Sequence, residues 1–148
     1  MSPTVGIVGG GQLAQMTYLA GVSLGIDVVV LCPDRNEPAI RAGATHVPGA
    51  PDSLEDLVHL AERCDVVTLD HERVPAELLQ RLSDAGHRVA PGAGAARVGR
   101  DKVAARQLAR DLGMGLAPWL VTDDREEVER FGATHGWPLH LKSRTGGY

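Results

Sequence analysis

Apolar runs and helical spacing alternate along this chain of 148 residues. Val5 to Val8 is a continuous apolar run, the mark of a parallel strand buried on both faces. Gly9, Gly10 and Gly11 follow. Leu13, Met16, Ala20 and Leu24 then recur at the spacing of one helix face, and the helix ends near Gly25. Asp27 to Cys32 reads as a second buried strand, closed by Pro33 and Asp34. Pro38 to Ala42 fits a short helix and Thr45 to Val47 a short strand. Asp52 or Ser53 caps a helix carrying Leu54, Leu57, Val58 and Ala61, with Glu55 and Asp56 in its first turn. A strand over Asp65–Asp70 comes next, then a helix opened by Pro75 with Leu78, Leu79 and Leu82 inward, then a short strand over Arg88–Ala90.

Strands that alternate with helices imply an α/β fold with a parallel sheet and right-handed crossovers. The common strand order for such a half is 3-2-1-4-5, which makes the first and fourth strands neighbours where the order reverses. Ligands bind beyond the carboxyl ends of the strands at that point, so Gly9–Leu13 and Asp70–Arg73 are expected side by side on one crest. The pattern changes near Pro91–Gly94. A helix over Asp101–Leu112, a strand over Pro118–Val121, a helix capped by Asp123 or Asp124 with Val128, Phe131 and His135 on one face, and a strand over Pro138–Lys142 follow. These pieces are too few to bury a core of their own. The expectation is therefore a first domain over residues 1–98, the beginning of a second over 99–148, and a chain that is a fragment.

The glycine turn carries the clearest chemistry. Gly9, Gly11 and Ala14 fit G-x-G-x-x-(G/A) between a strand and a helix. Glycines there turn the chain tightly and remove Cβ atoms that would keep a ligand off the backbone, while the helix start offers unpaired N–H groups to an anion. A phosphate-bearing ligand is expected, the alternative being a turn that only packs helix on sheet. Asp34 stands where a dinucleotide fold places its ribose-binding acid, or else caps a loop. Asp70, Glu72 and Arg73 lie on the expected crest, and Glu72 is the favoured ligand contact. Lys142, followed by Ser143–Gly147, offers an ammonium beside a glycine-rich turn, suited to a nucleotide phosphate.

Other patterns lead nowhere. Gly21-Val22-Ser23-Leu24-Gly25 matches G-x-S-x-G but falls at a helix end rather than at a strand-to-helix turn. His71-Glu72 begins a zinc-protease motif that Pro75 breaks, and the other histidines lack ligand spacing, so no metal site is expected from them. The net charge of −4 and the lack of a basic run argue against nucleic acid. No apolar run reaches the roughly 20 residues of a membrane span, and because Met1–Thr4 lead straight into a strand no secretory signal is expected. Cys32 and Cys64 beside apolar runs read as reduced, buried thiols of a cytoplasmic protein. With aromatics at 3%, the core must be aliphatic.

Several stretches in order resemble one family. They are Gly9–Leu13, Cys64–Thr68, Glu72 with Val74-Pro75, Asp101-Lys102, Ala117–Trp119, and Lys142-Ser143-Arg144-Thr145-Gly146-Gly147-Tyr148. Together they are similar to the N-terminal part of the 5-(carboxyamino)imidazole ribonucleotide synthases, ATP-grasp ligases of purine biosynthesis. The resemblance covers nearly the whole chain. It implies a Rossmann-like pre-ATP-grasp domain followed by the start of an ATP-grasp domain. The reaction it implies joins bicarbonate to the amine of 5-aminoimidazole ribonucleotide as ATP becomes ADP and phosphate, with carboxyphosphate as the intermediate. It also implies ATP and Mg2+ as cofactors and a homodimer, with the metal ligands and bicarbonate-activating groups beyond residue 148 and the fragment itself catalytically silent.

By the same resemblance Gly10, Gly11, Gln12, Leu13, Glu72 and Tyr148 hold the substrate ribonucleotide, whereas Lys102, Lys142 and Gly147 serve ATP. Many relatives have arginine where this chain has Lys102. Ala14-Gln15 replaces the usual Gly-Arg, and the segment Asp70–Arg73 is not the commonest version, which leaves Arg73 without a role. Three other readings stay open: an NAD(P)-dependent dehydrogenase domain resting on Gly9, Gly11, Ala14 and Asp34; another ATP-grasp ligase of purine biosynthesis; and a non-catalytic binding module.

Overall fold

The structure, a computed structural model, describes residues 2–146. They divide into two compact units, one reaching to Arg97 and one from Val98 onward. In the first, β1 (Thr4–Val8), β2 (Asp27–Cys32), β3 (Thr45–Pro48) and β4 (Val66–Leu69) form one parallel sheet in the order β3-β2-β1-β4. The connecting helices are α1 (Gln12–Ser23), α2 (Pro38–Arg41), α3 (Leu54–Ala61) and α4 (Ala76–Asp84). The α/β class and the reversal between β1 and β4 agree with the sequence pattern.

The apolar runs are continuous because both faces of the sheet are covered. Ile7, Val28, Val30 and Cys32 point to one face, where Ala14, Ala39 and Ala44 meet them. Val8, Val29, Leu31, Val47 and Val67 point to the other, against Leu57, Leu60, Leu79 and Leu82. Ser53 caps α3 by accepting the Asp56 N–H (3.3 Å), which fixes the start of a helix whose Leu57 and Leu60 are fully buried. Gly6 lies at the closest approach of sheet and helix: a Cβ there would stand 2.6 Å from Cys64 Sγ and 3.1 Å from Leu60 Cγ.

Several local expectations fail for identifiable reasons. The apolar series on α1 faces outward: Leu13, Met16 and Leu24 are 59–73% exposed. The inward face is Ala14, Tyr18 and Gly21, whose small members let the helix lie close on the sheet. A Cβ on Gly21 would already touch Val28 at 3.3 Å. Small residues carry little hydrophobic signal, so the larger outer residues dominate the pattern. Residues 88–90 form a single parallel bridge, Val67 to Val89, at the fifth position rather than a strand.

The sequence reading also missed α5 (Ala93–Arg100), whose Gly94 and Gly99 each cost roughly 1 kcal/mol relative to alanine in a helix. Packing of Ala93 and Ala96 against the α3–α4 side of the core offsets that cost. In the second unit, 118–121 and 138–142 are irregular, not strands. A strand persists only where neighbours take its N–H and C=O groups. Among the described residues the unit offers one antiparallel bridge, Asp101 to Thr145.

That second unit contains α6 (Lys102–Asp111) and α7 (Arg125–His135). Asp101 is its organising residue. Oδ1 accepts the Val103 and Ala104 N–H groups (2.9 and 3.2 Å) and so caps α6. Oδ2 accepts Nε and Nη2 of Arg144 (2.9 and 2.8 Å), and the Lys102 N–H donates to the Arg144 carbonyl (3.0 Å). The glycine-rich segment is thereby strapped to the start of α6. The Arg144 hydrogen bonds, more than the cap, hold the Asp101 carboxyl down at about 2.

Two outcomes follow from this packing. Leu79→Ala should cost about 2–5 kcal/mol in urea unfolding, because Leu79 is fully enclosed and the site cannot collapse freely. For Asp101 the folded pKa lies below the unfolded value of about 3.9, so its stabilisation is full above that pH and is lost as pH falls through about 2. Acid titration followed at the Thr145 and Lys102 amides should show the strap releasing in that window, and Asp101→Asn should remove the transition.

Candidate functional site

The crest forms where β1 and β4 end. Gly9 has φ +106°, a left-handed conformation that favours glycine, and its N–H donates to the Leu31 carbonyl (2.9 Å). Its position is closed to any side chain, since a Cβ would lie 1.8 Å from Asp70 Oδ1. Gly10 is buried, with Glu37 Cβ and Cys32 Sγ at 2.7 and 2.8 Å from where its Cβ would be. Its carbonyl accepts the Ala39 N–H (2.9 Å). Burial, then the Glu37 and Asp34 carboxylates, push the Cys32 thiol up to about 11, so it is neutral packing material near pH 7.

Gly11 is the N-cap of α1, and its N–H donates to Asp70 Oδ2 (3.1 Å). The first intrahelical bond runs from the Gln15 N–H to the Gly11 carbonyl (3.0 Å). The N–H groups of Gln12, Leu13 and Ala14 therefore lack intrahelical acceptors and carry the positive end of the helix dipole. Gln12 and Leu13 are exposed beside them.

β4 delivers the other half of the crest. The Asp70 N–H continues the parallel register by donating to the Val8 carbonyl (3.1 Å). The side chain of Asp70 is 7% exposed and reaches across to the glycine turn. Glu72, two residues on, is half-buried, and Arg73 is exposed with its N–H donating to His71 Nδ1 (3.2 Å). The structure thus brings Gly10, Gly11, Gln12, Leu13 and the loop of Glu72 to one edge of the sheet. The residue that ties them is Asp70, which sequence reasoning placed in the crest but did not favour. The available signal was an acid one residue beyond β4, opposite the first glycine.

In the second unit, Lys102 Nζ donates to the Gly146 carbonyl, and Lys142 is exposed. Gly147 and Tyr148 lie outside the described residues. Asp34 is occupied locally: Oδ1 accepts the Asn36 N–H and Nδ2–H (2.8 and 3.0 Å), a loop cap. Ser23 ends α1 with its hydroxyl bonded to the Ala20 carbonyl (2.8 Å), away from any strand-to-helix turn. Cys32 and Cys64 are free thiols, the first buried and the second half-buried. Among the described residues no three His, Cys, Asp or Glu side chains are grouped to hold a metal ion, and no helix is long and apolar enough to cross a membrane.

Comparison with known proteins gives this geometry a context. N5-carboxyaminoimidazole ribonucleotide synthase of Mycobacterium bovis is 36% identical over the whole chain, which spans 34% of that relative's length. A solved N5-carboxyaminoimidazole synthase from Aspergillus clavatus, in complex with ADP and 5-aminoimidazole ribonucleotide, superposes with a TM-score of 0.85 at 34% identity, over 97% of this chain and 39% of the other. The Staphylococcus aureus N5-carboxyaminoimidazole synthetase complexed with ADP gives a TM-score of 0.83 at 26% identity, over 99% and 40%. The chain therefore spans about a third of the length of the first of these relatives. Residues 1–100 match the ribonucleotide synthetase preATP-grasp domain. With its β3-β2-β1-β4 sheet, its glycine turn and its Asp70–Arg73 loop inside those limits, the chain belongs to the ribonucleotide synthetase preATP-grasp domain family.

Proposed function

We propose that this chain supplies the ribonucleotide-binding part, and the first nucleotide contacts, of an ATP-dependent ligase that carboxylates 5-aminoimidazole ribonucleotide with bicarbonate. One observation carries the reading. The glycine turn and the Asp70–Arg73 loop meet on the carboxyl edge of the sheet, in a chain 34% identical to an Aspergillus clavatus synthase whose structure holds ADP and that ribonucleotide. In the bond-forming step the exocyclic amine nitrogen attacks the carbon derived from bicarbonate, the bond from that carbon to the phosphorylated oxygen breaks so that inorganic phosphate leaves, and the nitrogen gives up one proton to solvent.

The proposal divides the chain at about residue 98. Before it, Gly10, Gln12 and Leu13 offer backbone N–H groups and Gln12 a side-chain amide, Gly11 lines the turn with its own N–H held by Asp70, and Glu72 offers a carboxylate to hydroxyl or amine donors of the ribonucleotide. After it begins the nucleotide-binding domain of ATP-grasp type, where Lys102 and Lys142 give ammonium groups to phosphate oxygens. The strap from Asp101 to Arg144 fits that role, since it fixes the glycine-rich segment against the helix that carries Lys102. Gly147 and Tyr148 extend the same segment and are assigned to ATP and to substrate. Mg2+, a second subunit and a cytoplasmic setting belong to the proposal as well. Two contacts weigh against the dehydrogenase reading: Asp34 Oδ1 caps its own loop at Asn36, and Asp70 sits against the N–H of Gly11.

Isothermal titration tests the proposal. 5-Aminoimidazole ribonucleotide should bind the chain, and Glu72→Gln should weaken it by roughly tenfold through loss of a charged hydrogen-bond acceptor. Lys142→Ala should reduce ADP binding and leave ribonucleotide binding unchanged. NADH binding without ribonucleotide binding would contradict the proposal.

A further inference from the structure

His71 is a largely buried titratable side chain of the crest that the function proposed above leaves unused. Its side chain is 16% exposed, and its ring lies against the glycine turn: a Cβ on Gly9 would stand 2.9 Å from His71 Cδ2. Nδ1 accepts the Arg73 N–H at 3.2 Å. A bond from a side chain to the N–H two residues on is the geometry of an Asx turn, here with imidazole in place of an amide or carboxylate oxygen. Glu72 is the residue between acceptor and donor, so this bond closes the loop around it.

The bond also dictates a protonation state. An imidazole nitrogen accepts only through a free lone pair, so the ring in this arrangement is neutral and carries its proton on Nε2. Nε2 stands 3.8 Å from Asp70 Oδ1, a buried oxygen with no hydrogen-bond partner among the described residues. Protonation therefore acts on the ring from both sides. The new Nδ1–H faces the Arg73 N–H, donor against donor, and the bond that closes the loop is lost. On the other side the imidazolium is attracted to a carboxylate whose free oxygen lacks a donor, which draws the ring toward Asp70. Residues 5–26, the strand, turn and helix on the Gly9 side, hold no charged side chain. Glu37 reaches the turn from the β2 side, against Gly10, Glu72 and Arg73 follow the ring in its own loop, and the first charge on α4, Glu77, is exposed and directed to Arg97 at 4.0 Å.

We propose that His71 is a positioning residue for Glu72, effective only while its ring is neutral, which makes ribonucleotide binding proton-sensitive. This deepens the functional reading above and rests on it for the ligand that Glu72 meets. The hold of His71 on the loop stands on the free protein alone.

A pH series from about 5 to about 8, the range in which imidazole changes charge, tests the proposal. His71→Asn keeps an acceptor for the Arg73 N–H in its amide oxygen but does not titrate, and His71→Phe fills the space of the ring without an acceptor. In the free wild-type chain the Arg73 amide signal should shift together with the His71 ring signals, and in His71→Asn it should show no step at that pH. Titrated with 5-aminoimidazole ribonucleotide, wild type should lose about fivefold in affinity relative to His71→Asn as pH falls across the series. The ratio removes the ligand's own ionisation. His71→Phe should bind more weakly than His71→Asn at both ends. A ring that titrates without moving the Arg73 amide would overturn the proposal, as would a ring that stays neutral throughout. So would an affinity ratio that is constant within about twofold, or that rises in acid. Should wild type bind no ribonucleotide, the functional reading fails, and the Arg73 amide alone decides whether His71 governs the loop. If His71→Phe does not fold, His71→Asn and the titration of the free chain give both answers.

Discussion

A single hydrogen bond organises the crest, from the Gly11 N–H to Asp70 Oδ2 at 3.1 Å. It joins the first turn of α1 to the loop after β4, segments 59 residues apart in sequence. Parallel pairing of β1 with β4 brings the two segments to the same edge, and the carboxylate then sets their spacing. The three glycines make sense in that light. Gly9 and Gly11 make room for Asp70, and Gly10 makes room for Glu37 and Cys32. The Asp70 carboxylate holds the N–H at the N-cap of α1 and leaves those of Gln12, Leu13 and Ala14 without intrahelical acceptors.

The two units are stabilised by different means. The first has a double-sided aliphatic core, with Leu57, Leu60, Leu79 and Leu82 fully buried on one face of the sheet. The second relies on local devices: Asp101 caps α6 and holds Arg144, Asp124 caps α7 by accepting the Glu126 N–H (2.8 Å), and the rings of Phe131 and His135 pack at a tilt with centroids 4.4 Å apart. No residue of α6 is buried, so its integrity rests on the Asp101 cap and strap more than on packing. The same two contacts fix the glycine-rich segment where Lys102 meets the Gly146 carbonyl.

Much of the first unit was legible because its signals are local and mutually consistent. Apolar runs, the Ser53 cap, Pro75 at the start of α4 and the alternation of elements all describe the same sheet. The inward face of α1 was not legible: Ala14 and Gly21 are chosen for smallness, and periodicity follows the larger Leu13, Met16 and Leu24. Nor was α5, whose glycines argue against a helix that tertiary contacts of Ala93 and Ala96 sustain. The strands expected at 118–121 and 138–142 have strand-like composition but no ladder to join among the described residues. At the crest, sequence order placed the turn and the 70–73 loop together. It could not show that a carboxylate points inward, since that depends on the register of β4 against β1.

Amide chemical shifts of the isotopically labelled chain, titrated with 5-aminoimidazole ribonucleotide, test the central claim most directly. A site built by the tie between turn and loop should give concerted shifts at residues 10–13 and 70–72, saturating together at one ligand concentration. Shifts confined to one of these segments, or centred on the Asp34 loop with the glycine turn unmoved, would contradict it.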